Sequence, residues 1–541
     1  MGIVSHDPIV ACVLVPTSAA AGVGSLGELQ AGCTGRWARA STLPPVSDRN
    51  PAASADPTTL SAVQRNAVAE LLRIAPVADR LAELFDEAGH QLHLVGGSVR
   101  DALMGRLGED LDFTTSARPD EIERLLRRLT PAVWDVGKAF GTIGACVSRD
   151  DGPDWIIEIT TYRADTYRDD SRKPEVAFGD TLEGDLIRRD FTVNAMAITL
   201  GSRTFVDPHH GLGDLAAGVL RTPSAPEVSF SDDPLRMMRA ARFTSQLSSG
   251  EQRFAPDAAA VAAMVNMAER IEIISAERVR DELCKLLLTD SPRPGINLLV
   301  ETGIAERVLP ELPAMRLERD EHHRHKDVYE HSLTVLDQAI DIERARGHEP
   351  DLVSRLAALL HDIGKPATRK FEPGGKVSFH HHDVVGAKMT RKRMKALRFS
   401  SEEIAQVSKL VELHLRFHGY GEAKWTDSAV RRYVRDAGDQ LERLHILTRA
   451  DCTTRNNRKA ARLRRAYDDL EARIDELAAQ EELDAMRPDL NGEEIMEILD
   501  IKPSKTVGEA YRHLLDLRME HGPLGRERAE EELRRWWAEQ P

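Results

Sequence analysis

The sequence predicts an α+β fold, with a small mixed sheet on the N-terminal side and an all-helical remainder. Between about residues 89 and 215, short apolar runs that suit strands alternate with helical patterns. Further along, the recurring patterns are those of amphipathic and charged helices. A length of 541 residues exceeds what one compact core can organise, so several domains are expected.

The composition indicates a soluble protein of a reducing compartment. The chain is 41% hydrophobic, 30% charged and 5% aromatic. It has no apolar run of about eighteen residues, so neither a membrane span nor a membrane partner is expected. The cysteines lack metal-site spacing, which predicts a cytoplasmic location: Cys12, Cys33, Cys146, Cys284 and Cys452.

The net charge gives only a mild argument about partners. A value of −15 disfavours nucleic acid, whose phosphates must be met by Lys and Arg. Lys388–Arg398 and Arg455–Arg465 are nevertheless strongly basic, and local patches do the binding. Basic runs are also common on solvated helix faces, so the charge does not decide the partner.

The chain begins with a segment for which we predict no regular structure. Residues 1–58 are rich in Ala, Ser, Gly, Thr and Pro, which predicts a disordered extension. Leu60–Ala88 then has apolar residues at three- and four-residue intervals and predicts a helical stretch. Strands follow at Gln91–Val95, Ala132–Val136, Gly141–Val147 and Trp155–Thr161, with a helix at Pro119–Leu129.

A glycine turn after the first strand predicts a phosphate cradle. Gly96-Gly97-Ser98 turns the chain, and a helix can begin at Val99, so free backbone N–H groups would face an incoming phosphate. A tight turn without any ligand is the alternative for this segment alone.

Two aspartates close behind the turn predict a metal site. Asp110 and Asp112 alternate along a strand, so both side chains lie on the same face and offer the hard oxygen ligands that Mg²⁺ prefers. Glu158, in the apolar strand Trp155–Thr161, is a candidate third acidic group that places the metal or activates a hydroxyl. The alternative is that these carboxylates are solvated charges on strand edges.

Two basic segments follow. Arg163–Asp180 is polar and predicts a mobile loop able to fold over a substrate. Adjacent Arg188 and Arg189, beside Asp190 and Asn194, could hold triphosphate oxygens through forked hydrogen bonds. Surface salt bridges explain the arginines equally well when the segment is considered alone.

A third signal lies at Ser231–Phe243. Asp233 suits a helix N-cap and Pro234 a first helical position, and three arginines then recur at every third residue. Asp233 and Arg236 could present an acceptor and a fork of donors to a base edge, which would distinguish cytosine from adenine. A capped helix with an exposed basic flank is the alternative.

In combination, these segments resemble a known family. Gly96–Asp101, Asp110–Asp112, Arg188–Ala195 and Asp232–Phe243 stand in the order found in the class II CCA-adding tRNA nucleotidyltransferases, a branch of the polymerase-β superfamily that also contains poly(A) polymerases. Ile274–Leu287 is similar to the neck-helix motif of that family. The resemblance spans about residues 60 to 540.

The resemblance implies roles for individual residues. Asp110 and Asp112 would bind the catalytic Mg²⁺. Gly97, Arg100 and Arg189 would contact the triphosphate. The nucleotide itself would be contacted by Asp233, Arg236, Arg239 and Arg242. Asp232 departs from the family, which commonly has Glu there, but the charge is kept.

A second constellation lies in the helical half of the chain. Histidines and aspartates stand at the ends of successive predicted helices and match the mixed ligand set of a divalent-metal phosphohydrolase. The order resembles that of the HD phosphohydrolase domain, and it implies core ligands at His331, His361, Asp362 and Asp451, with His382 and His414 as candidates for a second metal. A helical module that only shapes the tRNA-binding body is the alternative.

The predicted function is template-independent addition of CCA to tRNA 3′ ends from CTP and ATP, with Mg²⁺ as cofactor and a second divalent transition metal in the HD region. The partners expected are tRNA, ATP and CTP, and no DNA. Two alternatives remain: a poly(A) polymerase or A-adding enzyme, and an HD phosphohydrolase acting on RNA ends. The predicted domains are an extension at 1–58, a nucleotidyltransferase head at 59–215, a helical neck at 216–315, an HD domain at 316–465 and a helical tail at 466–541.

Overall fold

The computed structural model describes residues 60–540 except 75, 107, 109, 138–140, 150–152, 164–177, 317–326, 374–375, 420–424, 454–456 and 482–486. The extension predicted at 1–58 lies outside the described residues, as does most of the loop predicted at Arg163–Asp180. Within the described part, a mixed-sheet head is followed by helices, and this confirms the predicted α+β class.

The predicted helical stretch Leu60–Ala88 is two helices rather than one. They are α1 (Ala62–Ile74) and α2 (Val77–Glu87), and Pro76 stands between them. Proline lacks the N–H that a continuing helix needs, and its ring clashes with the preceding turn. Leu81 and Phe85 of α2 are fully buried, so this helix covers part of the head's core.

The head is built on one seven-stranded sheet. Its strands are β1 (Leu92–Val95), β2 (Asp110–Thr115), β3 (Val133–Gly137), β4 (Thr142–Val147), β5 (Trp155–Thr161), β6 (Ala197–Thr199) and β7 (Thr204–Val206). Their order across the sheet is β3-β4-β5-β2-β1-β6-β7. The helices of the head are α3 (Gly97–Leu103), α4 (Pro119–Leu126), α5 (Leu182–Leu186) and α6 (Gly211–Ala217). The central strand β2 pairs in parallel with β5 on one side and antiparallel with β1 on the other, so the sheet is mixed.

The neck is helical. It contains β8 (Val219–Leu220), α7 (Pro226–Asp232), α8 (Leu235–Gln246), β9 (Ala255–Pro256), α9 (Ala258–Met267), α10 (Ala276–Leu287), α11 (Arg293–Glu301), α12 (Ala305–Val308) and α13 (Glu311–Ala314). α8 packs against both α10 and α11. A Cβ at Gly295 of α11 would lie 2.2 Å from the carbonyl oxygen of Ala241, so only glycine permits this close approach.

The HD region is also helical, apart from one hairpin. It contains α14 (Val328–Ala345), α15 (Leu352–Leu360), α16 (Lys365–Thr368), β10 (Lys370–Glu372), β11 (Lys376–Ser378), α17 (His382–Ala396), α18 (Ser401–Leu413), α19 (Asp427–Ala437) and α20 (Leu441–Ala450). α15 and α20 contact each other, and both also contact α14 and α18, which brings the ends of these helices together.

The last four helices are α21 (Asn457–Glu481), α22 (Gly492–Leu499), α23 (Lys505–His521) and α24 (Arg526–Ala538). α21 runs through the domain boundary predicted at 465/466. Its Tyr467 stacks on Phe417 with ring centroids 3.7 Å apart and donates to the carbonyl of Thr448 at 2.5 Å, so the start of α21 belongs with the HD region. The last three helices have a hydrophobic cluster of their own. In the described part of the chain, no helix has the length and hydropathy needed to cross a membrane.

Candidate active site and candidate metal centre

The glycine turn is held tightly against strand β2. Gly96 has φ 69°, and a Cβ there would lie 2.8 Å from Nη1 of Arg189 and 3.8 Å from Oδ2 of Asp112. The Ser98 hydroxyl accepts from the backbone N–H of Asp112 at 3.0 Å and donates to the carbonyl of Asp110 at 3.1 Å. The helix begins at Gly97 rather than at the predicted Val99. The turn therefore lies beside both predicted metal ligands.

Three carboxylates lie on one face of the sheet. Asp110 and Asp112 alternate along β2, and Glu158 on β5 is the direct register partner of Asp112. Neighbouring strands are about 4.8 Å apart, so the side chains of such a pair are in reach of one another. The structure brings together the three acidic residues that the sequence singled out.

The negative charges of these carboxylates repel one another. Burial raises the pKa of Asp112, and Asp110 raises it further, while Arg189 acts in the opposite direction. Burial also raises the pKa of Glu158, with added contributions from Asp112 and Asp110. Clustered negative charge of this kind is what a bound divalent cation relieves. Carboxylate oxygens are also the ligands of Mg²⁺, so the residues present fit the predicted ion.

The predicted triphosphate contacts differ in their surroundings. Arg189 is half-buried, and its Nη2 lies 3.2 Å from Oδ2 of Asp185. Arg100 is 4% exposed. Its Nε and Nη2 each donate to the Asp101 carboxylate at 2.8 Å, and its Nη1 donates to Oδ1 of Asn194 at 2.5 Å. The Arg189 guanidinium is therefore partly accessible to a ligand, whereas the Arg100 guanidinium is buried and hydrogen-bonded to its neighbours.

Asp190 connects the head to helix α8. One carboxylate oxygen accepts from Asn194 at 2.9 Å and from the N–H of Phe191 at 2.8 Å, and the other accepts from Nε of Arg239 at 2.7 Å. Burial alone would raise the pKa of Asp190, but Arg239 and these hydrogen bonds outweigh it and hold the pKa at about 2. This ion pair fixes Arg239 relative to the glycine turn.

The predicted base-reading pair lies at the start of α8. The helix begins at Leu235 with Pro234 as its N-cap, so the prediction that Asp233 caps it was off by one position. The difference concerns only where the helix is taken to begin, because Asp233 has the extended backbone of a capping residue and its Oδ1 accepts from the N–H of Leu235 at 3.1 Å. The other oxygen, Oδ2, lies 2.8 Å from Nη2 of Arg278 on α10.

Arg236 is held from both sides. Its Nη1 donates to the Ser229 hydroxyl at 2.8 Å, and its Nη2 donates to the carbonyl of Arg188 at 2.5 Å. The second bond ties the start of α8 to the segment that carries Arg189. The residues predicted to contact the triphosphate and the base are thereby connected.

Arg242 lies differently from the role implied for it. It is 8% exposed, and its Nε donates to Glu282 of α10 at 2.7 Å. Its guanidinium also lies over the Phe243 ring at 4.2 Å and donates to Gln246. In this structure the Arg242 side chain is buried and connects α8 to α10. Arg278 and Glu282 are the functional neighbours that sequence reasoning missed, although both stand in the neck-helix motif.

A second centre is formed by six residues at helix ends. His331 lies on α14, His382 begins α17, and the others follow the last residues of α15, α18 and α20. Two groups are close enough to hold metal ions: His331, His361 and Asp451, and Asp362, His382 and His414. The structure brings together all six predicted ligands.

Asp362 and Asp451 are the acidic residues around which the histidines of this centre lie. Nε2 of His331 lies 2.9 Å from Oδ1 of Asp451 and 3.5 Å from Oδ2 of Asp362. Nε2 of His382 lies 3.3 Å from the other oxygen of Asp362, Oδ1. One carboxylate thus faces histidines of both groups, as a bridging ligand of two ions would.

The histidine rings are oriented for metal binding. Nδ1 of His361, His382 and His414 lies 2.9, 2.7 and 2.7 Å from the carbonyl oxygen of the residue three positions earlier. Such a bond fixes the proton on Nδ1 and leaves Nε2 as the acceptor. Within the described part of the chain, Nε2 of these three rings is buried without a hydrogen-bond partner, and this fits a divalent metal ion.

The charges at this centre are strongly coupled. Burial would raise the pKa of Asp362, but His361, His382 and Lys365 outweigh it and hold the pKa well below its ordinary range. Burial lowers the pKa of His414 to about 4, so its ring is neutral near pH 7, as a metal ligand must be. Nζ of Lys365 lies 2.5 Å from Oδ2 of Asp362. Sequence reasoning missed this lysine, whose only signal is its place three residues after Asp362.

Comparisons with known proteins agree with this geometry. Residues 92–221 match the family described as the poly A polymerase head domain. Residues 253–315 match the probable RNA and SrmB-binding site of polymerase A, and residues 328–456 match the HD domain. The three matches follow the order head, neck and HD region.

Curated relatives and solved structures point the same way. An A-adding tRNA nucleotidyltransferase of Deinococcus radiodurans is 34% identical over 453 residues, which are 83% of this chain and 96% of that protein. A CCA-adding enzyme of Bacillus subtilis is 39% identical over 43% of this chain, but the match covers only 54% of that enzyme, about half its length. The CCA-adding enzyme of Levilactobacillus brevis is likewise 39% identical over 42% of this chain and 54% of its own length.

Two solved structures share the fold. The Bacillus stearothermophilus CCA-adding enzyme in complex with CTP has a TM-score of 0.56 at 22% identity, covering 88% of this chain and 98% of its own. The Thermotoga maritima CCA-adding enzyme has a TM-score of 0.54 at 20% identity, covering 87% and 98%. Taken with the near full-length relative and with the carboxylates beside the glycine turn, these matches show that the chain belongs to the tRNA nucleotidyltransferase family.

Proposed function

We propose that this tRNA nucleotidyltransferase adds C, C and A to tRNA 3′ ends from CTP and ATP, without a nucleic-acid template. The observation that carries the proposal is the connection of two sites: Asp110, Asp112 and Glu158 face the glycine turn, and Arg236 bonds the segment that carries Arg189. A group-transfer site and a base-reading site are thereby joined. CCA-adding relatives and a structure with CTP support the same substrates.

The residues divide the chemistry among them. The backbone N–H groups at Gly96–Gly97 and the guanidinium of Arg189 bind and orient the triphosphate. The primer 3′-oxygen forms a bond to the α-phosphorus, the bond to the pyrophosphate oxygen breaks, and Glu158 takes the hydroxyl proton. Mg²⁺ held by Asp110 and Asp112 supplies charge neutralisation for the leaving pyrophosphate.

Selection of cytosine and adenine over guanine and uracil rests on Asp233 and Arg236, and this pair alone does not distinguish cytosine from adenine as the sequence led us to expect. Cytosine and adenine each carry an exocyclic amino donor next to a ring-nitrogen acceptor, and the carboxylate and the guanidinium complement that pair. Arg278 holds one oxygen of Asp233 at 2.8 Å, which fixes the direction of the acceptor. Guanine and uracil present a carbonyl where the amino group would be, so they leave Asp233 unpaired and are rejected.

A specific observation favours A-addition as the second candidate. The relative that this chain spans over nearly its whole length, 96%, carries the name A-adding tRNA nucleotidyltransferase. Incubation of the protein with tRNA that lacks all three terminal residues separates the two. Incorporation of C from CTP alone supports CCA addition, and incorporation of A only on tRNA that already ends in CC supports A-addition. Long tails on unrelated RNA would instead indicate a poly(A) polymerase.

We further propose that the HD centre is a divalent-metal phosphohydrolase acting on phosphate esters at RNA or nucleotide ends. The support is the set of buried, unpartnered Nε2 atoms of His361, His382 and His414 around Asp362. A divalent transition metal bound there supplies an activated water and a Lewis acid. The test is hydrolysis of adenosine 2′,3′-cyclic phosphate after chelation and re-addition of Mn²⁺, Co²⁺, Ni²⁺ or Mg²⁺. His331→Ala serves as the inactive control.

We also propose a cytoplasmic location. Among the described residues, Cys146 and Cys284 are free thiols. Persistent free thiols suit a reducing compartment. Fractionation of the native cells with a cytoplasmic marker tests this.

A further inference from the structure

One exposed aromatic residue stands beside the HD centre without any role in the functions above. Phe371 is 74% exposed and lies on β10 of the hairpin β10–β11. The hairpin connects Asp362 and Lys365 on one side with His382 on the other, so it is inserted between two ligand-bearing segments. A single exposed apolar side chain is common on protein surfaces, but this ring lies between two ligand-bearing segments and beside the Arg369 guanidinium, which is the setting of a base-stacking site.

Strand alternation defines what shares a face with Phe371. Phe371 pairs directly with Val377, and Lys370 pairs with Ser378, so continuation of this register places Arg369 opposite Phe379. Alternate residues lie on the same face, which puts Arg369, Phe371, Val377 and Phe379 together. The bond of the Ser378 hydroxyl to Glu372 at 2.8 Å confirms that these two polar residues occupy the opposite face.

The aromatic face leads to the metal ligands. Nζ of Lys365 lies 5.8 Å from the centroid of the Phe379 ring and 2.5 Å from Oδ2 of Asp362. The carbonyl oxygen of Phe379 lies 2.7 Å from Nδ1 of His382. Phe371 stands two strand positions from the level of Phe379, about 7 Å along the hairpin. The aromatic face of the hairpin therefore forms one continuous strip, which runs from the exposed Phe371 ring past Phe379 to the carboxylate of Asp362.

We propose that this strip is the base-binding subsite of the HD centre, with the nucleobase of a phosphate-ester substrate stacked on Phe371. The inference rests on the proposed phosphohydrolase function. The substrate class is a nucleotide or an RNA end whose phosphate lies at the metal ligands. Hydrolysis joins a water oxygen to phosphorus and breaks the bond to the ribose oxygen, which takes a proton.

Charge and geometry favour a nucleotide over an apolar protein segment. The guanidinium of Arg369 lies 4.8 Å from the centroid of the Phe371 ring, and Nζ of Lys365 lies on the same face, 5.8 Å from the centroid of the Phe379 ring. An aromatic face with cations beside it accepts a base by stacking and attracts its phosphate. Stacking tolerates any base, since every base has a π-face, so the subsite selects for a base without choosing its identity.

The test compares two secondary phosphate monoesters that differ in the base. Adenosine 3′-phosphate carries one, and glycerol 2-phosphate does not. Phe371→Ala removes the ring, Phe371→Trp keeps an aromatic surface, and Glu372→Ala alters the opposite face of the same hairpin. Because Phe371 is 74% exposed, its replacement removes little packing.

Phe371→Ala is expected to raise KM for adenosine 3′-phosphate about five-fold or more and to leave KM for glycerol 2-phosphate unchanged. Phe371→Trp and Glu372→Ala are expected to behave as the wild type. Equilibrium dialysis of adenosine 3′-phosphate against chelator-treated protein gives a readout without turnover, and the same weakening is expected there. A parallel series with a short RNA that ends in a 3′-phosphate shows whether the mononucleotide or the RNA end benefits more from the ring.

The possible failures are distinguishable. If the wild type hydrolyses neither monoester and no cyclic phosphate with any metal, the proposed HD activity is wrong. If it hydrolyses both, and Phe371→Ala changes both KM values equally or neither of them, the base-binding subsite is refuted while the activity stands.

Discussion

Replacement of Asp190 by Asn tests whether the head and helix α8 are held together by a buried ion pair. Asp190 is 7% exposed, and its Oδ2 lies 2.5 Å from Nη2 of Arg239. Its pKa falls from an ordinary value of 3.8 to about 2. At about 1.4 kcal/mol for each tenfold change in the proton equilibrium, that difference corresponds to roughly 2 kcal/mol of stability at neutral pH.

The variant is expected to lose more than this electrostatic amount. Asparagine can still accept from the N–H of Phe191, but Arg239 is left largely without its counter-charge. Removal of one partner of a fully buried pair costs about 3–5 kcal/mol, and the lower end applies here because the Arg239 side chain is 35% exposed and Glu282 remains 3.9 Å away. We therefore expect Asp190→Asn to lower the free energy of unfolding of the head by about 3 kcal/mol.

The pH dependence has a definite sign. The folded-state pKa is depressed, so the stabilisation is present above pH 3.8 and is lost as the pH falls toward about 2. The wild type should lose this contribution across that window, and Asp190→Asn should not. Urea unfolding followed by tryptophan fluorescence measures both effects.

A matched control is available in the same domain. Asp79 forms a 3.0 Å pair with Arg203, but both side chains are more than half exposed, so Asp79→Asn should cost less than about 0.5 kcal/mol. A double-mutant cycle of Asp190→Asn with Arg239→Gln should show coupling of at least about 1 kcal/mol. If Asp190→Asn unfolds within about 0.5 kcal/mol of Asp79→Asn, the account of this pair is wrong.

Three further predictions concern the two centres. Glu158→Gln should lower kcat by about 10²–10⁴-fold and remove the acid limb of the pH profile of kcat/KM. Burial raises the pKa of Glu158 above its ordinary value, so the wild-type rate should fall as the pH drops through that raised pKa. An acid limb that is retained in the variant would contradict the assignment. Gly96→Ala should raise KM for CTP, because its Cβ would lie 2.8 Å from Nη1 of Arg189 at a φ of 69°, and Gly89→Ala, which has φ 77° but meets no atom within 4 Å, controls for backbone strain. His361→Ala should reduce the bound transition metal measured by elemental analysis while nucleotide incorporation stays unchanged, and incorporation lost in parallel would show that the centres are not independent.

Local patterns predicted which candidate residues come together. Strand alternation places Asp110 and Asp112 on one face, and β5 forms where an apolar run predicts a strand. The six candidate HD ligands were implied by the resemblance to the HD domain, and the structure places them close together at helix ends. The structure adds that Asp362 faces histidines of both groups.

Long-range partners could not be predicted in this way. Arg278 reaches Asp233 across 45 residues, and Glu282 reaches Arg242 across 40. Which side of α8 is buried depends on how α10 packs against it, and the repeated arginines look alike in sequence. The resemblance to the family implies a nucleotide contact for Arg242, whereas packing places it between two helices.

The most direct test of the central claim is nucleotide choice on tRNA that ends at the residue before CCA. With CTP alone, the account predicts addition of two C residues and then a stop. With CTP and ATP together it predicts one further A and no more. Asp112→Asn should abolish every addition. Failure of the wild type to add C would contradict the account, as would continued A addition beyond the third residue.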